Sequence, residues 1–128
     1  GDSVVWFTKS KVVHMGDHFF VGRFPFVDLA SGGSVDGYLK NVRRMLKELP
    51  EDYRIIPGHG PLATKEDLGA FEEMLVETTG IVRGGIEAGK TLNQIKAEGL
   101  PPKYKGWGGG FINADRWISI VYGDLASR

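Results

Sequence analysis

The stretch Tyr53-Arg54-Ile55-Ile56-Pro57-Gly58-His59-Gly60-Pro61 decides how the rest of the chain is read. Tyr53 to Ile56 is the short aromatic and β-branched run of a buried strand, and Pro57 to Pro61 forms a tight loop at its C-terminal end. Helical patterns flank it on both sides. Upstream, Val35, Tyr38, Leu39, Val42, Met45, Leu46 and Leu49 recur at helical spacing, with Ser34 placed to cap the first turn and Pro50 to stop the last. Downstream, Thr64 and Asp67 form a capping-box pattern ahead of Leu68, Phe71, Met74, Leu75, Thr78 and Val82 on one face. A strand held between two amphipathic helices points to an α/β layer.

Working outward, Ser3 to Phe7 and Lys11 to His14 are short strand-like runs joined by Thr8-Lys9-Ser10, which predicts a hairpin. Phe19 to Val27 is apolar but broken by Gly22 and Pro25, so it reads as a loop lying on the core. Ser31-Gly32-Gly33-Ser34 reads as a capping loop; it lacks the lysine of a phosphate-cradling motif. Gly80, Gly84 and Gly85 predict fraying or close packing late in the second helix. Thr91 with Gln94 caps a short helix that ends before Pro101-Pro102, and Gly106 to Gly110 reads as a glycine-rich loop. A final helix from Asn113 carries Trp117, Ile118, Val121, Tyr122 and Leu125 on one stripe. The order predicts a small mixed sheet covered by helices on one face, with residues 1–128 forming a single domain.

Composition narrows the function classes. Lysine plus arginine equals aspartate plus glutamate at 16 each, so no net field draws the chain to nucleic acid or to an acidic membrane. No apolar run reaches the length needed to cross a bilayer. The absence of cysteine removes disulfides, thiolate metal sites and cysteine nucleophiles together. Gly1-Asp2-Ser3 leads without an initiator methionine straight into an apolar run, which reads as a fragment boundary.

Two segments carry chemistry. His14-Met15-Gly16-Asp17-His18 and Pro57-Gly58-His59-Gly60-Pro61 each place a metal-capable side chain directly after a strand, where a sheet presents it at a common edge. Glycine beside each candidate lets the backbone bend tightly and approach a ligand. A carboxylate with an imidazole suits zinc, manganese or iron. The alternatives are ordinary: a histidine beside glycine is commonly a hydrogen-bonded loop residue, and an aspartate can cap a turn. His14 and His18 carry the same ambiguity. Trp107 is either a substrate-facing aromatic or an anchor of its loop to the core, and Trp117 reads as core.

Taken together, His14-Met15-Gly16-Asp17 followed by Phe19-Phe20, then Ser31-Gly32-Gly33-Ser34, then Ile56-Pro57-Gly58-His59-Gly60-Pro61 resembles the C-terminal half of the metallo-β-lactamase-fold hydrolases. The resemblance runs along nearly all of the chain. It implies half of an αββα sandwich and assigns Asp17 as the carboxylate that bridges two metals, with His59 as a ligand of the second. The implied cofactor is zinc, and the implied chemistry is attack of metal-activated water on an ester, amide or thioester bond. The H-x-H-x-D-H segment that supplies the family's other ligands does not occur in this sequence. The resemblance therefore implies a hydrolase fragment with an incomplete dinuclear site, vestigial or shared. The alternatives are a non-enzymatic self-associating module and a homodimer that forms a metal site between chains. Either a second copy or an N-terminal half is the expected partner. The expected contact surface is an apolar sheet face and strand edge made by Val4, Trp6, Val12 and Ile55.

Overall fold

A computed structural model describes residues 4–27, 33–110 and 112–127, with the side chain of His59 also outside the described part. Ser3, Ser31 and Gly32, which entered the hairpin and capping-loop expectations, lie outside the described residues. The chain is α/β. Strand β1 (Val5–Phe7) pairs antiparallel with β2 (Val12–Phe20), and β2 pairs parallel with β3 (Arg54–His59), in the order β1-β2-β3. Helix α1 (Val35–Glu48) lies in the connection that parallel pairing of β2 and β3 demands. Helices α2 (Lys65–Glu87), α3 (Leu92–Glu98) and α4 (Ala114–Ala126) follow, with a 3-10 segment at Pro102–Gly109 before the last.

The caps explain where the helices begin. Ser34 Oγ accepts from the Gly37 N–H at 2.9 Å, and Asn113 Oδ1 accepts from the Arg116 N–H at 2.8 Å. Thr64 with Asp67 and Thr91 with Gln94 both close reciprocal capping boxes, so each satisfies two backbone donors that a helix start leaves unpaired. At the start of α1 the buried Asp124 of α4 accepts from the Val35 N–H at 3.1 Å, which ties the two helices together. The late glycines of α2 do not end it. At Gly85 a Cβ would come within 2.8 Å of the Ile95 side chain, so close packing of α3 accounts for that glycine.

Alternation along the strands sorts the sheet into two faces. Val13, Met15 and Ile55 are fully buried beneath the helices, where they meet Val42, Phe71, Leu75 and Trp117 in one core. Trp6 is paired with Val13 and so shares that face. The opposite face carries Val5 and Phe7 from β1, Val12 and His14 from β2 and Ile56 from β3. Val5 is 46% and Phe7 48% exposed, so this face leaves large apolar groups in water. The expected contact surface is thereby corrected. Val12 stands on the open face as expected, whereas Ile55 belongs to the core and Trp6 to the helix side; their sequence neighbours complete the open face, because a shift of one residue reverses the face.

Two further expectations are corrected. The two motif segments are not loops that follow strands: β2 runs through His14–His18 to Phe20, with register irregularities after His14 and after Gly16, and β3 continues through Pro57 to His59. Gly106 to Gly110 is not an irregular loop either, since all but Gly110 belongs to the 3-10 segment. The Phe24 N–H donates to the Trp107 carbonyl at 3.1 Å, and the Trp107 ring meets the rings of Phe24 and Tyr104. Trp107 is thus an anchor to the core, and fully buried Trp117 is core as expected.

Candidate functional site

The irregular stretch of β2 builds the site. Gly16 has φ of +56°, a left-handed conformation that glycine adopts without the Cβ penalty of other residues. Its N–H donates to His14 Nδ1 at 3.1 Å, so that imidazole folds back onto its own strand. Such a bulge breaks the regular alternation and re-aims the next side chain. The next side chain is Asp17, exposed in the C-terminal half of β2, whose backbone carbonyl accepts from the Tyr38 hydroxyl of α1 at 2.6 Å. Strand position and helix position are therefore tied at Asp17 itself.

The parallel ladder brings the second motif alongside. Gly16 pairs with Pro57 and Phe20 pairs with His59, which sets Asp17 beside the Pro57-Gly58-His59 run. The approach is tight. A Cβ built on Gly58 would overlap Asp17 Oδ1 and would sit 2.7 Å from both the carbonyl carbon and the carbonyl oxygen of Gly16. Glycine is favoured there because the Gly16 backbone, which cannot swing away, and the Asp17 carboxylate together occupy the space of a side chain. Two residues further, Gly60 has φ of +112° and turns the chain against Val21.

Asp17 and the backbone of His59 are thus brought to one edge of the sheet, whereas the imidazole of His59 lies outside the described part. His18 goes elsewhere. Its ring lies 6.4 Å from that of Tyr38, and it lines a separate cleft with Trp6, Asn41 and Arg44. Among the described residues, no group of three or more histidine or acidic side chains is placed to hold a metal ion. A catalytic zinc takes three protein ligands and an open position. The described residues do not supply that set.

Asp17 also lines a cleft of about 260 Å³. Phe20, Phe24 and Ile112 are buried and form its apolar floor, with half-exposed Phe26 beside them. Phe24 stacks on Trp117 with ring centroids 6.1 Å apart and planes 7° from parallel. Two cations, Arg23 and Arg116, complete the wall. The stem of Arg23 lies against the backbone of Gly110, where a Cβ would stand 3.0 Å from Arg23 Cδ. Neither arginine was singled out by sequence reasoning. The available hint was Arg23 set in an aromatic run between Phe20 and Phe24, and nothing local marks Arg116.

No protein-family model matches the chain, and no curated protein matches it.

Proposed function

We propose that the chain is one half of a metallo-β-lactamase-like hydrolase, contributing Asp17 and His59 to a metal site whose other ligands come from a second polypeptide segment. The observation that carries this reading is the contact between the Asp17 carboxylate and Gly58, which joins the two sequence motifs across the β2–β3 ladder. The bulge at Gly16 and the left-handed Gly60 add to the support, since both bend backbone around the same edge. Zinc, the metal the resemblance implies, is among those the donor types suit, and hydrolysis of an acyl bond is the activity a completed site serves. The half-sandwich architecture belongs to the same proposal: one face of the sheet carries helices, and the other presents Val5 and Phe7 to water.

A second copy of the chain is the alternative source of ligands, and that open apolar face favours it. Calorimetric zinc titration combined with sedimentation separates the readings. With a complementary half, the chain alone binds zinc weakly and does not hydrolyse esters or lactams; tight binding appears on adding a polypeptide that contains H-x-H-x-D-H. With a homodimer, zinc binds tightly to the chain alone, at one site per pair of chains. Both arrangements lose tight binding in Asp17→Ala and in His59→Ala. Tight binding that survives both substitutions would refute the assignment of these two residues.

A further inference from the structure

We infer that the cleft beside Asp17 is a binding site for a small carboxylic acid with an apolar body, held by Arg23 and Arg116 over the ring of Phe24. Calling that acid the substrate rests on the hydrolase reading above; its binding does not. The cleft combines two features that separately mean little. Exposed arginines are common, and so are apolar depressions, but here Arg23 and Arg116 both line one cleft of about 260 Å³ whose floor is largely aromatic. A guanidinium presents a planar fork of donors that matches a carboxylate and is less strongly hydrated than an ammonium, so it suits recognition beside apolar walls. Phe20, Phe24 and Ile112 offer nothing to an inorganic anion and bury the body of an organic one.

The cleft is also built in advance. Phe24 is 2% exposed and stacks on the fully buried Trp117, so the floor cannot rotate away. The Phe24 N–H bond to the Trp107 carbonyl fixes the backbone beside Arg23, and Gly110 leaves room for the arginine stem to lie flat. Arg116 rises from the first turn of α4, which Asn113 caps. Walls fixed by three separate elements lose little freedom when a ligand enters, which raises affinity. Asp17 lines the same cleft, so one ligand can meet the arginines and the candidate metal-binding edge together.

The test uses the full chain freed of metal with a chelator, with hydrocinnamate as the probe and hydrocinnamamide as its uncharged counterpart. Tryptophan fluorescence reports binding, because Trp107 and Trp117 both adjoin Phe24. Saturable binding of the acid is expected, with the amide at least roughly tenfold weaker, as befits loss of a charge-assisted bidentate contact. Arg23→Gln and Arg116→Gln each weaken the acid by a similar factor and leave the amide unchanged. Acid binding is read on the metal-free parent and zinc binding by calorimetry, so failure of the metal assignment and failure of this site are read independently. The inference is overturned if acid and amide bind alike, if both arginine variants bind as the parent does, or if no saturable binding occurs. It is equally overturned if inorganic phosphate binds as tightly as hydrocinnamate, since the aromatic floor would then contribute nothing.

Discussion

The carboxylate of Asp17 occupies the space that a Cβ on Gly58 would need, so two residues far apart in sequence exclude a side chain from one another. Together with the Gly16 backbone, that carboxylate fixes the identity of residue 58 through its neighbours rather than through its own backbone angles.

Gly58→Ala is accordingly expected to destabilise the fold by about 1–3 kcal/mol, the usual range for forcing an extra carbon into a packed position. Urea denaturation measures it. Adding Asp17→Ala to that variant recovers part of the loss, because the carboxylate contact disappears while the Gly16 backbone contact remains. Purely additive losses would show that the pair is not coupled. Gly16→Ala provides a comparison of different origin. There the Cβ has open space, with only His14 at 4.0 Å, and the expected cost of about 1–2 kcal/mol comes from the left-handed φ alone.

In the core, the Trp117 indole donates to Thr78 Oγ1 at 2.9 Å, and that hydroxyl donates onward to the Met74 carbonyl at 2.7 Å. Both side chains are fully buried. Thr78→Val keeps the shape but leaves the indole donor without its partner, which is expected to cost about 1–3 kcal/mol. Thr78→Ser keeps the hydroxyl and is expected to cost less than the valine. A thermal or urea midpoint for Thr78→Val equal to that of the parent would mean that the indole finds another acceptor.

The Tyr104 hydroxyl donates to Glu77 Oε2 at 2.7 Å, and Lys103 Nζ reaches the same oxygen at 2.6 Å. Burial first, and the Glu77 carboxylate second, push the phenol up from 10.0 to about 12. A raised folded value means that this contribution to stability is complete below pH 10.0 and is lost as pH rises through about 12. Glu77 works in the opposite sense. Lys103, and then Tyr104, hold its carboxyl below the usual 4.5, so its contribution is present above that value and fades as the solution is acidified. Glu77→Gln is expected to lower the Tyr104 midpoint only part of the way to 10.0, because burial remains the larger cause. Phenolate absorbance followed through an alkaline titration measures this. An unchanged midpoint would remove Glu77 from the account.

The parts of this architecture legible in the sequence are those settled by neighbours along the chain. Ser34, Thr64, Thr91 and Asn113 cap the helices that follow them because a cap is a contact across about three residues. The continuation of β2 through Gly16 was not legible, since it depends on Gly16 finding Pro57 across the ladder. The 3-10 segment likewise needs Phe24 to hold Trp107. Asp17 and Gly58 were each marked by their motifs, yet the contact between them exists only once β2 and β3 pair. Arg23 and Arg116 acquire a common cleft only when α4 packs against the aromatic run after β2. Ile55 shows the same limit at the scale of a single residue. Its apolar character was plain, but the face it joins is set by register.

That register leads to the last expectation, which concerns association. β1 lies at the edge of the sheet, with Val5 and Phe7 facing away from the helices and Trp6 partly exposed on the other side. An apolar face continuous with a strand edge is the surface by which sheets join other chains. The chain is therefore expected to sediment at micromolar concentration as a species heavier than its 14.1 kDa monomer. A stable dimer needs well over about 1,000 Å² of buried surface in total, more than the side chains of β1 alone can supply, so Val12 and Ile56 must share the interface. Phe7→Lys places a charge in the middle of that face and is expected to return the protein to the monomer mass. Val76→Lys serves as the control, because Val76 is an exposed apolar residue of α2, at 41%, and lies outside the sheet. A parent protein that runs as a monomer, or two lysine variants that behave alike, would show that the open face of the sheet does not drive association.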